Sequence, residues 1–353
     1  GQIHDWDAGA RHSRSELALY DRVTQFALES ARQAMGQAGL EVDEQLALVS
    51  GAIMGTGGGG LSTIDESYRA LHAQGRNRVH PFTIPRLMHN AAAAHIAMRY
   101  GLKGPTFTVA TACASSNHAM GLAFQMVRSG AMRAVLTGGA EASLCFGGIK
   151  AWEGLRVMSP DGCRPFCATR NGMVQGEGAA VFVFEEYENA RARGADILAE
   201  VAGFSMTSDA GDIVLPDRDG AVRAMRGALA DAGLTPGDIG YVNAHGTATT
   251  ANDRIEAAAL TEVFGPALAG LPVSSTKSMH GHLIGATGAV ELLAAILALR
   301  EGVIAPTMGF RQQDPDCPLD MVPNAAREGR VSAVLSNAFA FGGMNACLAL
   351  RGV

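Results

Sequence analysis

Hydrophobic positions along the chain follow two periods. Between Thr106 and Thr111 β-branched and apolar residues run together, the pattern of a buried strand, and a helix rich in Ala and Met follows it to Gly130. Ala112 and Cys113 make the tight turn between them. Upstream, Val23, Phe26, Ala27, Ser30, Ala34 and Met35 share one face of a helix predicted over 15–38, with Ser13 and Glu16 as its capping box and Gly39 as its stop. A strand is predicted from Leu46 to Ile53, leading into a glycine loop, Gly55 to Gly60, and a helix over 84–100. Strands over Ala134–Thr137 and Ala179–Glu185 flank a long loop from Ser143 to Asn171, and a basic helix over 186–194 closes this half.

The pattern then recurs. Gln37-Ala-Gly-Leu40 is echoed by Asp231-Ala-Gly-Leu234, each followed by a linker, a strand and a glycine-bearing loop. The cysteine strand and its helix ending Arg128-Ser-Gly130 are echoed by Pro272 to Thr276 and a helix ending Arg300-Glu-Gly302, and Ala134-Val-Leu136 by Ala333-Val-Leu335. Three echoes in one order point to duplication, with insertions in different places. Each half is then an α/β unit around a mostly parallel sheet, divided as 1–190 and 191–353. The second half has a strand, Leu198 to Met206, before its first helix, so the first half is expected to lack a matching N-terminal strand and its connection, about 30 residues or more.

Composition narrows the class. A chain of 353 residues with 48% hydrophobic and 18% charged residues has ample core for two fused halves, and its 44 glycines suit close helix packing and many turns. A net charge of −6 without a Lys/Arg run argues against nucleic acid as the main partner. The apolar run from Ala286 to Leu299 is too short to cross a bilayer and is broken by Glu291, so a soluble cytoplasmic protein is expected. Six cysteines without a CxxC pair fit neither a disulfide framework nor a zinc knuckle.

Candidate chemistry gathers at strand-to-loop junctions, where sites form in α/β sheets. Cys113 stands before a helix, whose unpaired N–H groups would stabilise a thiolate; the alternative is a small buried thiol. His245, Lys277 and His282 stand at junctions of the second half. If the halves pack about a pseudo-twofold axis, these groups share one pocket. A cysteine nucleophile between two neutral imidazoles suits acyl transfer through a thioester. Other readings stay open here: His245, His280 and His282 as metal ligands, Lys277 as a solvated charge, and the glycine loop as a phosphate cradle, although no P-loop Lys-Ser/Thr or GxGxxG context accompanies it. A Cys/His protease lacks its flanking signatures.

With VATACASSNHAMG around Cys113, VNAHGTATTANDRIE around His245, SSTKSMHGHLIGATGAVE around Lys277 and His282, and SNAFAFGGMNA near the end, the chain resembles the β-ketoacyl-acyl carrier protein synthases, condensing enzymes of the thiolase-like superfamily. IKAWEGLRVMSPDGCRPF, SDAGDIVLP and KSMHGH look closer still to nodulation protein E and to ketosynthase subunits of type II polyketide or polyene systems. The resemblance implies a five-layer αβαβα fold of two pseudo-twofold halves. It implies that Cys113 accepts an acyl chain, with an oxyanion hole from its own N–H and that of Phe341. His245 and His282 would stabilise the enolate formed when a malonyl thioester loses carbon dioxide, and Lys277 would support the His282 side. Thr247 and Thr249 match threonines that bind a phosphopantetheine arm; Phe341, with Gly342 and Gly343, matches a gate to the acyl pocket. Asp253, Glu256 and Glu291 match supporting polar positions. The implied partners are an acyl carrier protein and a second subunit, in a homodimer or a ketosynthase/chain-length-factor heterodimer, with no cofactor and no metal.

The chain departs from that pattern in places. The family usually has aspartate where Cys167 stands, Arg-Asp-Gly where Arg170-Asn171-Gly172 stands, and a second phenylalanine at Thr83. Carrier-docking basic residues are thin over Glu16 to Leu19, which leaves Arg11, Arg14, Arg76, Arg78 and Arg128. Two alternatives remain: a chain-length-factor type of partner subunit, against which stand Cys113, His245 and His282 together, and a coenzyme A thiolase, which would place a second cysteine in Cys-x-Gly where Cys347 is followed by Leu348 and Ala349.

Overall fold

The computed structural model describes Gly1–Val353. Twelve strands run β1 Ser50–Gly55, β2 Thr106–Val109, β3 Ala134–Glu141, β4 Gly178–Glu185, β5 Glu200–Ser208, β6 Tyr241–Asn243, β7 Pro272–Ser274, β8 Val303–Ile304, β9 Asp320–Met321, β10 Arg327–Glu328, β11 Ala333–Ala340 and β12 Met344–Arg351. The helices are α1 Arg14–Leu17, α2 Arg22–Ala38, α3 Glu44–Leu48, α4 Leu61–Tyr68, α5 Thr83–Leu87, α6 Ala91–Tyr100, α7 Ser115–Arg128, α8 Phe146–Gly154, α9 Tyr187–Ala192, α10 Arg218–Ala232, α11 Thr250–Phe264, α12 Lys277–His280 and α13 Thr287–Glu301.

The duplication is visible in strand order. One sheet runs β2-β1-β3-β4 and the other β7-β6-β11-β12-β5, with β9 beyond β7. In each, the first three strands are parallel and the fourth is antiparallel. β5 pairs with β12 and has no counterpart beside β4. Helices α2 and α6 cover the outer face of the first sheet and α10 and α11 that of the second, while α7 and α13 lie between the sheets. The result is the expected five-layer thiolase-like arrangement. Of its five apolar clusters the three largest lie one beneath each outer helix layer and one in the middle, where Cys113, Met120, Phe204, Leu292, Ala338 and Ala346 meet.

The spacing between halves is constant along the central helices: Ala112 to Ile284, Arg128 to Arg300 and Gly130 to Gly302 are equally far apart. Each central helix is entered through a one-turn 3₁₀ segment whose first residue is left-handed, Ala112 at φ 47° and Ile284 at φ 44°. Such a conformation is costly for residues with a Cβ and persists only where packing enforces it. Glycine permits that packing. A Cβ at Gly55 would overlap the backbone of Ser115 and Ser116, and one at Gly285 the backbone of Thr56 and Gly57.

Several predicted elements are corrected. The helix over 15–38 is two helices, because Asp21 turns its carboxylate to the N–H of Val23 (3.1 Å) and Thr63 (2.8 Å) and caps α2 afresh. Ser13 and Glu16 cap only α1, and Gly39 does end α2 in the left-handed region, φ 57°. The strand over 46–53 begins at Ser50, since the Asp43 side chain accepts from the Leu46 N–H (2.7 Å) and starts α3. The helix over 84–100 is interrupted by extended backbone at Met88. β3 continues to Glu141, and the loop over 143–171 contains α8. No helix is long and apolar enough to cross a membrane.

Gly55→Ala is expected to lower unfolding free energy by about 1–3 kcal/mol, the usual cost of overpacking, because the added methyl meets backbone rather than a yielding side chain. Urea denaturation checks this, with Gly36→Ala, where nothing stands in the way, as the control.

Candidate active site

Cys113 sits in the 3₁₀ turn between β2 and α7. The Thr111 N–H donates to Ser115 Oγ (2.9 Å), and that hydroxyl donates to the Ala112 carbonyl (2.7 Å), so the strained turn is held from both sides. The backbone N–H groups of Cys113 itself and of Phe341, the first residue after β11, act on the sulfur in the direction that favours its thiolate. Phe341 is followed by two left-handed glycines, Gly342 at φ 83° and Gly343 at φ 68°, which fold the chain tightly over the pocket.

The second half brings the imidazoles. His245 follows β6, where its N–H and that of Gly246 donate to the Glu256 carboxylate at 2.8 and 2.7 Å. His282 follows α12, and its N–H donates to the Val174 carbonyl at 2.6 Å. The two rings meet edge-on, centroids 5.6 Å apart and planes at 85°. The Cys113 sulfur and one nitrogen of each ring lie within 4.8 Å of one another, and all three residues are buried.

Three charges or near-charges set the electrostatics. Lys277 is fully buried, its Nζ 2.6 Å from Glu291 Oε1 on α13 and bonded to the His245 carbonyl, so it is not a solvated charge. Burial, reinforced by the Lys277 ammonium, holds both His245 and His282 well below the ordinary imidazole range, and they are neutral at physiological pH. Burial also pushes the Cys113 thiol up to about 12, against the opposing pull of Lys277 and the Phe341 N–H. Desolvation outweighs the helix end expected to stabilise a thiolate, and the buried-thiol alternative describes Cys113, which is only 6% exposed.

The tautomer of His282 follows from a fixed donor. The Ile284 N–H donates to Nδ1 (3.1 Å), as does the Thr287 hydroxyl (2.9 Å), so Nδ1 is an acceptor and Nε2 carries the proton. Nε2 has no partner in the chain and is left as a hydrogen-bond donor to the pocket. A metal would need the lone pair there. His280, the other histidine of the metal reading, spends its ring on the Gly281 carbonyl (2.7 Å) and Thr276 Oγ1 (3.1 Å), outside the cluster. The residues do not fit a metal.

In the loop after His245, Thr247 and Thr249 stand with hydroxyls 2.8 Å apart, one buried and one half-buried. Asp253 serves backbone, accepting the Phe166 N–H at 2.7 Å, and pairs with Arg170, whose second carboxylate partner is Asp314. Asp314 thus supplies an acid beside the non-acidic Cys167. Glu141 had no assigned role. Its buried carboxylate accepts the N–H of Gly57 (2.7 Å), Gly58 (3.1 Å) and Gly285 (3.1 Å), tying the first glycine loop to the turn after His282. An acid directly after Gly-Gly-Ala at a strand end was the available signal. The glycine loop is thereby occupied by a carboxylate, and the phosphate reading falls.

Lys277→Met is expected to destabilise the fold, by up to about 3–5 kcal/mol where Glu291 is forced to ionise without its partner, and Lys277→Met/Glu291→Gln to cost less than the sum of the two single variants. Burial already raises the Glu291 carboxyl to about 7, above its unfolded value, so its stabilising, protonated form is lost as pH rises through that point. Without Lys277 it holds its proton higher still, and the deficit of the single variant should grow as pH rises above about 7 and stay level below it in denaturant titrations.

Residues 2–190 match the family model "Beta-ketoacyl synthase, N-terminal domain" and residues 198–311 "Beta-ketoacyl synthase, C-terminal domain". Nodulation protein E of Rhizobium leguminosarum bv. trifolii is 51% identical over 340 residues, 96% of this chain and 84% of its own length. A 3-oxoacyl-[acyl-carrier-protein] synthase 2 of Staphylococcus aureus is 39% identical over 358 residues, 99% of this chain and 89% of its own. Among solved structures, the ishigamide ketosynthase/chain length factor superposes with a TM-score of 0.93 at 36% identity, covering 100% of this chain and 87% of that one. A type II PKS acyl-carrier protein in complex with its ketosynthase superposes at 0.89 and 29%, covering 96% and 86%. Two family models that together cover most of the chain, and relatives matched over nearly its whole length, show that the chain belongs to the β-ketoacyl synthase family.

Proposed function

We propose that this chain catalyses decarboxylative Claisen condensation between an acyl thioester and malonyl-acyl carrier protein. The observation that carries the reading is the convergence, in one buried pocket, of a thiol, two neutral imidazoles and two backbone N–H groups. In the first step Cys113 attacks the acyl thioester, its proton leaving with the carrier thiol, and the N–H groups of Cys113 and Phe341 stabilise the tetrahedral oxyanion. In the second, the malonyl thioester loses carbon dioxide, and the electron pair of the broken C–C bond becomes an enolate. His245 and His282 hydrogen-bond to its oxygen. Its carbon then attacks the Cys113 thioester; the 3-ketoacyl group leaves on the carrier, and the sulfur takes up a proton. No strong base is needed, because carbon dioxide loss creates the nucleophile.

Residues 1–190 supply the nucleophile and 191–353 the histidines and Lys277. Thr247 and Thr249 receive the phosphopantetheine arm. The chain acts with a second subunit, a copy of itself or a chain-length factor, the arrangement named for the ishigamide relative. A cytoplasmic location accords with six free cysteines. For carrier docking, Arg76 and Arg78 are exposed on a stretch, 69–90, that holds four arginines and no acidic residue in a chain of net charge −6. That stretch suits an acidic partner.

Intact mass after exposure to acyl-carrier thioesters tests the reading. An adduct on Cys113 is expected, and Cys113→Ala should form none; a folded wild-type chain that forms none with or without a partner subunit refutes it. His282→Ala should slow malonyl decarboxylation by roughly a hundredfold or more while acylation of Cys113 falls far less, and an equal loss in both steps would reject its enolate role. Arg76→Glu/Arg78→Glu should raise the KM for carrier-borne substrate with little change in kcat and should flatten its salt dependence.

A further inference from the structure

The two imidazoles of the pocket are held in different ways. His245 is fastened through its backbone, and its Nδ1, although buried, has no partner in the chain. His282 is fastened through its ring. Its Nδ1 accepts the Ile284 N–H (3.1 Å) from the turn that follows it and the Thr287 hydroxyl (2.9 Å) from the first residue of α13. Thr287 is 1% exposed and its hydroxyl makes no other hydrogen bond, so that proton has a single acceptor.

The Ile284 N–H by itself settles which ring nitrogen carries the proton. What the second donor adds is orientation. The χ2 torsion of histidine is broad, so a ring held by one bond keeps rotational freedom, and nothing in the chain holds Nε2 on the far side. Two donors arriving from different segments, one backbone and one side chain, fix the ring plane, as outer partners do for imidazoles elsewhere.

The duplication supplies an internal comparison. The spacing that relates Ala112 to Ile284 also relates Ser115 to Thr287, the first residues of α7 and α13. Each carries a hydroxyl that reaches back to the turn before its helix. Ser115 Oγ accepts the Thr111 N–H (2.9 Å) and donates to the Ala112 carbonyl (2.7 Å), so it braces backbone beside Cys113. Thr287 has the same place in the other half and braces a side chain, the His282 imidazole.

We infer that Thr287 is a positioning residue for the decarboxylation step: its hydroxyl holds the His282 ring at the angle that presents Nε2–H to the enolate oxygen. The inference rests on the reading of His282 as the enolate's hydrogen-bond donor. Thr287 acts through His282, touches no reacting atom and transfers no proton. One hydrogen bond of ordinary strength corresponds to about a two- to tenfold change in rate, which is the size of effect expected.

The test compares Thr287→Val and Thr287→Ser in the full chain, with malonyl decarboxylation and Cys113 acylation measured separately. Thr287→Val removes the hydroxyl and keeps the branched shape; decarboxylation should slow about two- to tenfold in kcat with little change in KM, while acylation falls far less. Thr287→Ser keeps the hydroxyl and should restore decarboxylation to within about twofold of wild type. A merely structural role reverses that order, because Thr287→Ser, and not Thr287→Val, leaves a methyl-sized gap in the core and lowers the melting temperature. In His282→Ala protein, Thr287→Val should have no further effect, since its partner is gone. Wild-type decarboxylation by Thr287→Val, a Thr287→Ser variant no faster than Thr287→Val, or an undiminished effect of Thr287→Val in His282→Ala overturns the assignment. If His282→Ala itself slows both steps equally, the enolate role of His282 fails first and the inference falls with it; a selective His282→Ala beside an inert Thr287→Val removes Thr287 alone.

Discussion

One buried ammonium organises the site. Lys277 has no access to water, so its charge is tolerable only because Glu291 neutralises it and the His245 carbonyl accepts from it. Those contacts fasten α12 to α13 and to the loop after β6, three segments far apart in sequence. The same charge adds to burial in keeping both imidazoles unprotonated and lowers the Cys113 thiol against the upward push of burial. Structure and chemistry are therefore fixed by one group.

The two halves solve a shared problem in parallel. Each glycine-bearing loop after its first strand leaves backbone donors unpaired in the core, and in each a buried carboxylate accepts them: Glu141 for Gly57 and Gly58, Glu256 for His245 and Gly246. Burial raises both carboxyls to about 7, opposed by those N–H groups. The duplication also shows what one half gave up. By the constant spacing of the central helices, Gly285 occupies the place of Cys113, and it closes against Thr56 and Gly57 with no side chain at all. One pseudo-equivalent turn carries the Cys113 thiol and the other carries close packing.

Much of the site was legible because its chemistry is local. Cys113 stands between a β-branched run and an Ala-rich helix, and Lys277, His282 and Glu291 fall within one short stretch. The layer order followed from the repeat. What escaped depends on distant partners. Nothing around Asp21 announces a break in the periodicity of 15–38; the break exists because Thr63, on another element, bonds its carboxylate. α8 reads as loop because glycines stand at positions 147, 148 and 154, and it is helical where Asp65 and Leu61 hold its start. Glu141 looks like any strand-end acid until Gly285 arrives from the other half. The choice between a helix-stabilised thiolate and a buried thiol at Cys113 stayed open for a related reason: the helix end is visible in sequence, whereas burial to 6% exposure is a property of the packed whole.

The buried thiol bears on how the site works. A resting thiolate beside two neutral imidazoles would already occupy the charge that the oxyanion donors serve, and it would repel an incoming malonyl carboxylate. With Cys113 raised to about 12 and both histidines neutral, the empty pocket carries no net charge beyond the Lys277–Glu291 pair. In the proposed reaction negative charge develops there only in passing, on the tetrahedral oxyanion during acylation and on the enolate during decarboxylation, and each time donors are already in place. The His282 tautomer makes this specific: because Nδ1 is occupied by the Ile284 N–H and the Thr287 hydroxyl, Nε2 is a donor before any substrate arrives. A low-dielectric pocket that is uncharged at rest and lined with oriented donors favours the charged states of the reaction over its starting state, and that difference is what lowers the barrier.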